Sequence, residues 1–224
     1  MQRMVCATFM VCTLVLISFL GVSSVAAVEP STGLPAVINP TARYLIFHHN
    51  YYVEAKGVDG DCKYHDILKS FRDSGFVVVS EIRPKDASAL EYAKKSAAEV
   101  RKLLDAGVPP ERIALAGHSK GAVIALQVAA QLGNPKISYA VLAGCGIKGL
   151  EKGYPDFGKL QGNFLSVYAA SDKIATSCAP SFAKGGEGFS GREIVLDSPA
   201  GHQLFFKPAG LWVEPVVSWL KQQK

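Results

Sequence analysis

The sequence predicts an α/β fold: a single domain on a mostly parallel sheet of about six strands, with helices over both faces. Three observations carry this prediction. From Arg43 onward, short apolar runs alternate with segments of helical periodicity. The runs are apolar at successive positions, which suits strands buried on both faces. Glycines close the helical segments, at Gly75, Gly107 and Gly133, where a left-handed cap is commonly needed. A chain of 224 residues, 49% hydrophobic and 19% charged, is long enough for one large core. No internal repeat and no low-complexity segment breaks it.

The elements follow in order. "RYLIFHH" is the first strand, and "KYHDILKSFRDSG" a helix with Ile67, Leu68 and Phe71 on one face. The β-branched run "FVVVSEI" is the second strand. "ASALEYAKKSAAEVRKLLDAG" is a helix whose apolar face holds Leu90, Ala93, Ala97, Val100, Leu103 and Leu104. "RIALAG" is a strand and "GAVIALQVAAQLG" a mostly apolar helix. "ISYAVLAG", "NFLSVYAA" and "REIVLDS" complete the sheet, and "GLWVEPVVSWLKQQ" closes the chain as a helix with Pro215 inside its first turns.

The first residues stand apart. Residues 1–27 hold one basic residue, a long uncharged apolar run and Val25-Ala26-Ala27, the layout of a secretory signal peptide cut after Ala27. The alternative is an uncleaved membrane anchor, since the run approaches the length of a span. Residues 28–42 form a linker punctuated by Pro and Gly, and the domain runs over 43–224. Arg3 is the only charged residue before Glu29, so processing removes one charge from a formal net charge of +5. That charge is scattered, without Lys/Arg runs, and does not suggest nucleic acid. Export also explains the cysteines: Cys62, Cys145 and Cys178 give one disulfide and one spare thiol in an oxidising compartment. They lack the spacing of a zinc site.

Chemistry concentrates in "GHSKG", Gly117 to Gly121, between a strand and a helix. G-x-S-x-G in that setting is a nucleophile elbow, a sharp turn that lifts the Ser119 hydroxyl above the sheet. The flanking glycines leave room where positions two residues either side of the serine press together. A plain β-to-α turn with Ser119 as helix cap would share the pattern. The partners therefore decide, because a serine needs a base. His202 is the one histidine after Ser119, in the loop between the last strand and the last helix. Asp172 ends the strand "NFLSVYAA" and is the preferred orienting acid; Asp197 and Asp156 are its rivals. An oxyanion hole would take one amide from Lys120 and another from the loop "FHHNYYVE". The Lys120 side chain is expected to be a solvated or gating group.

These residues resemble the α/β-hydrolase superfamily, from Arg43 to the C-terminus. The resemblance rests on "FHHNYYVE", "VVVSEIRP", "LDAGVPPERIALAGHSKG", "VLAGC" and "ASDKIATSC". It points to small exported members of undefined substrate. It implies Ser119, Asp172 and His202 as a catalytic triad, with Tyr51 and Lys120 supplying the oxyanion-hole amides. It also implies a Cys145–Cys178 disulfide, leaving Cys62 as the spare thiol. One departure stands out: His49-Asn50 occupies the place where such proteins usually carry His-Gly. If positive φ is needed there, Asn is the least costly replacement. His48 and His49 are expected to hold this loop rather than to react.

The segment "GIKGLEKGYPDFGKLQG" is too short and glycine-rich for a cap domain, and the stretch from Asp172 to Gly191 reads as an unstructured loop. Tyr51 and Tyr52 either wall the site or simply pack. The expected activity is a carboxylesterase-like serine hydrolysis of a small-molecule or exposed ester, through an acyl-Ser119 intermediate and without metal or cofactor. A serine peptidase or acyltransferase would use the same triad. A non-catalytic binding protein on this fold is the reading from another class.

Overall fold

The computed structural model describes residues 33–222. The expected signal peptide, residues 1–27, and the first part of the linker lie outside the described residues. Among the described residues, six strands and six helices follow in chain order. The first are β1 (Arg43–His48), α1 (Tyr51–Lys56), α2 (Tyr64–Asp73), β2 (Phe76–Val79), α3 (Ala89–Asp105) and β3 (Ile113–His118). Then come α4 (Lys120–Leu132), β4 (Ser138–Leu142), β5 (Gly162–Ala169), α5 (Ala179–Phe182), β6 (Phe189–Leu196) and α6 (Gly210–Gln222). The strands form one sheet in the order β2-β1-β3-β4-β5-β6. Every adjacent pair is parallel.

Alternation along β1 shows how the sheet is sandwiched. Leu45 and Phe47 pack toward Ile67, Leu68 and Phe71 of α2 and Trp212, Val216 and Leu220 of α6. Tyr44 and Ile46 point the other way, into Ala93, Ala97, Val100 and Leu103 of α3 and the apolar side of α4. Both faces being covered is what makes β3 and β4 apolar at almost every position, since all their residues are buried. Pro215 lies inside α6, two residues past Val213, whose amide already donates to Ala209, so the proline forgoes a helical hydrogen bond to the Leu211 carbonyl.

Three local expectations change. Leu90 is 48% exposed and does not join the buried face of α3; it lies in the first turn, to one side of the stripe through Ala93, Ala97 and Val100. The segment after β1 is not a loop but the short helix α1. The stretch from Asp172 to Gly191 is structured: it carries α5, and the Ser177 hydroxyl and the Cys178 amide both donate to Glu193 on β6. Between β4 and β5 only two 3-10 turns occur, Glu151–Gly153 and Phe157–Lys159, in place of any cap domain.

The sheet order reverses between β1 and β3. From β1 the chain crosses outward to β2, and then returns to the other side of β1 for β3. In open α/β sheets the crevice beyond the carboxyl ends of strands at such a reversal is where ligands bind. Asn50 follows β1 and Ser119 follows β3, so both fall at this crevice.

Candidate active site

Ser119 sits at the N-cap of α4 with φ 57° and ψ −121°, a conformation that a residue bearing a side chain rarely adopts. The glycines show why the turn is so tight. A Cβ at Gly117 would overlap the Gly121 carbonyl, and one at Gly121 would overlap the carbonyl oxygens of His48 and His49. Gly117 therefore lets the turn close, and Gly121 lets the start of α4 press against the end of β1. The Ser119 amide donates to the Leu142 carbonyl on β4 at 2.9 Å, which anchors the turn to the sheet.

His202 lies in a 3-10 turn, Gly201–Phe206, after β6. Its Nδ1 is 2.9 Å from Oδ2 of Asp172, whose carboxylate is fully buried. Oδ1 of Asp172 accepts from the amides of Ile174 and Ala175, at 2.8 and 3.0 Å. An acceptor fixed by three donors holds the imidazole with Nδ1 protonated, leaving Nε2 as the basic nitrogen. The two rival acids lie elsewhere: Asp197 is exposed, and Asp156 is exposed and caps a 3-10 turn by accepting from Gly158.

Asn50 has φ −77°, so no left-handed backbone is required at this position. Its side chain serves two other ends. Oδ1 accepts from Val53 at 3.0 Å and caps α1, while Nδ2 donates to Nδ1 of His118 at 2.9 Å. The asparagine is thus a helix cap that ties α1 to the elbow. Tyr51 and Lys120 are the first residues of α1 and α4, so neither amide has a helical carbonyl to bond.

Of the histidines before the serine, His49 is held on both ring nitrogens. His49 Nε2 accepts from the Arg83 amide at 2.9 Å, so Nδ1 carries the proton and donates to the Asn50 carbonyl at 2.8 Å. Burial, with the nearby Arg83 charge, pushes its pKa down to about 3. Burial likewise lowers the pKa of His48 and of His118 well below the ordinary value. The His118 ring lies 4.8 Å from that of His202.

The Lys120 side chain, expected in solvent, is instead buried. Its Nζ is 2.7 Å from Oε2 of Glu54, and Oε1 of Glu54 is 2.7 Å from Nε of Arg83. Sequence reasoning missed Glu54 and Arg83. Both stand just past strand ends, as the other site residues do, but their pairing spans 29 residues and leaves no local pattern.

Ser119, Lys120, His202, Asn50 and Tyr51 line one cavity of about 760 Å³. Tyr52, Ile147, Leu150 and Phe206 make much of its wall. Tyr51 both walls the cavity and packs locally: its ring lies under Lys120 Nζ at 5.5 Å and its hydroxyl donates to Asp86 at 3.0 Å. Tyr52 packs on Phe206, ring centroids 5.0 Å apart. Cys145 and Cys178 are disulfide-bonded, and Cys62 is a buried free thiol whose pKa burial raises.

An open parallel sheet carrying a serine elbow, with an Asp–His pair on later loops, defines the α/β-hydrolase fold, and solved structures agree. Esterase PE8 superposes with a TM-score of 0.56 at 19% identity, over 88% of this chain and 100% of that one. SOBER1 of Arabidopsis thaliana gives 0.53 at 14% identity, over 81% and 98%. Est1E of Butyrivibrio proteoclasticus, solved with ferulic acid bound, gives 0.55 at 13% identity, over 82% and 88%. At these identities the likeness is one of fold. Comparison with family models and with curated proteins gives no match.

Proposed function

We propose that the protein is a serine hydrolase acting on carboxylic esters. The observation that carries this reading is the Asp172–His202 pair, 2.9 Å apart, whose histidine lines the same cavity as the strained Ser119. Ser119 Oγ attacks the ester carbonyl while His202 Nε2 takes its proton. Asp172 orients the ring and stabilises the imidazolium. The amides of Lys120 and Tyr51, at two helix N-termini, receive the oxyanion. The tetrahedral intermediate then collapses: the alcohol leaves with the proton returned by His202, and Ser119 keeps the acyl group. Water repeats the attack with the same base, releasing the acid. No step calls for a metal or cofactor.

The cavity supports a substrate larger than a short acyl ester. Its volume falls within the range of sites for drug-sized molecules, and Tyr51, Tyr52, Ile147, Leu150 and Phe206 offer apolar contacts. An ester with a medium-sized apolar or aryl group fits that wall. Export belongs to the same proposal and is supported by the Cys145–Cys178 bond, since disulfides persist in oxidising compartments.

Labelling with a fluorophosphonate probe tests the reading. The wild-type protein should label at Ser119, and Ser119→Ala and His202→Ala should each abolish labelling while remaining folded. A folded wild-type protein that stays unlabelled would make the chain a non-catalytic binding protein on this fold.

A further inference from the structure

Beyond the triad, the mechanism leaves the side-chain charges of Glu54, Arg83 and Lys120 unused, and all three are buried. The side chains of Glu54 and Arg83 are essentially inaccessible, and that of Lys120 is 11% exposed. Desolvating three ions is costly and rarely serves stability alone. Their placement is specific. Glu54 stands in the first turns of α1, the helix whose first amide belongs to Tyr51. Lys120 is the first residue of α4, and its side chain reaches back across the crevice to Glu54 and lies over the Tyr51 ring. Arg83 completes the arrangement by donating to the His49 carbonyl and to Glu54. The residue that offers one amide is thus bonded, through its own side chain, to the helix that offers the other.

We propose that Glu54 is a positioning residue: with Lys120 and Arg83 it forms an ionic clamp that fixes the Tyr51 and Lys120 amides at the separation one oxyanion needs. The proposal rests on the acyl-serine reading. Two donors stabilise an oxyanion only when both converge at hydrogen-bonding distance on the atom as it forms, and a misplacement of about 1 Å can cost roughly 100-fold in rate. The clamp ties α1 to α4 beside the point where Gly121 lets α4 press against the end of β1.

The test is steady-state hydrolysis of p-nitrophenyl butyrate, each variant assayed well below its own melting temperature. Lys120→Met is the primary variant, because it leaves Glu54 paired with Arg83 and strands no buried charge. It should lower kcat by about 100-fold with KM within about threefold. Lys120→Arg, which keeps an ionic partner for Glu54, should recover at least about a tenth of wild-type kcat.

Glu54→Gln separates the clamp from a bare field effect. It removes the negative charge and leaves the two cations, so field alone would raise kcat, whereas loss of the clamp lowers it. The double substitution should lose no more than the worse single one. Wild-type kcat in Lys120→Met overturns the clamp and leaves the esterase reading intact. So does a loss confined to KM, which would make Lys120 a substrate-binding group. A wild-type protein inert toward ester and probe alike overturns both.

Discussion

Asp172 shows how much of one residue's role its surroundings settle. Its carboxylate takes two backbone amides on Oδ1 and the His202 ring on Oδ2. Asp172→Asn can keep the carbonyl oxygen toward the amides of Ile174 and Ala175, so the loop should hold and the melting temperature should barely move. The amide NH₂ would then face His202 Nδ1 and force the opposite tautomer, with the proton on Nε2. On the proposed mechanism the expected loss in kcat is about 10⁴-fold, as for the equivalent change in a serine-protease triad. A loss of less than about tenfold in ester hydrolysis would remove Asp172 from the role. At this scale the sequence was most informative where chain order constrained the choice: one histidine follows Ser119, and Asp172 stands at a strand end between them. It was least informative at Asn50. Set against a family pattern, that residue looked like a substitute for glycine; its capping bond to Val53 and its bond to His118 become visible only once α1 is known to start there.

Among the elements, α1 and the stretch after β5 were illegible for a common reason. Helix α1 is six residues long, too short for an apolar period to register, and it owes its start to Asn50 and its position to the buried Glu54. The stretch from Lys173 to Gly188 is glycine-rich toward its end, and its order comes from partners distant in sequence. The Cys178 amide donates to Glu193 at 2.6 Å, the Thr176 amide donates to Cys145 at 2.8 Å, and the disulfide joins Cys178 to Cys145 across 33 residues. By loop-closure entropy a cross-link of that span contributes about 3–4 kcal/mol. Paired replacement of Cys145 and Cys178 by Ala should lower the unfolding free energy by that amount in urea titrations. Because Asp172 immediately precedes this stretch, kcat should also fall in conditions where the variant is fully folded. Unchanged stability and unchanged kcat would show that the Glu193 contacts hold the segment alone.

For the whole molecule, the α/β class was readable because burial on both faces leaves long apolar runs in β1 to β5, a signal that does not depend on partners; the edge strand β6 is largely exposed and showed only the short run Ile194-Val195-Leu196. The sheet order was not readable, and it is the order that turns separate strand ends into one site, by setting β1 beside β3. That crowding has a consequence for stability. His48, His49 and His118 are all buried at this junction, and burial lowers each pKa, that of His49 to about 3. In the folded chain the three rings stay neutral as pH falls, whereas in the unfolded chain they bind protons near the ordinary value of about 6.5. The unfolded state therefore takes up more protons below that pH, and stability falls with acidification. Between about pH 6.5 and its folded pKa of about 3, His49 alone costs about 1.4 kcal/mol per pH unit, and His48 and His118 act in the same direction. Glu99 acts in the opposite direction, because burial raises its pKa, but it offsets only one group and only near the ordinary carboxylate range. Domains of this kind are stable by about 5–15 kcal/mol, so such a loss is a sizeable part of the margin by about pH 4.5. Urea midpoints measured from about pH 7.5 to about 4.5 should be flat above about pH 7 and drop steeply below about pH 6. A midpoint that holds constant down to about pH 5 would mean that the histidines are charged in the folded chain, contrary to their burial.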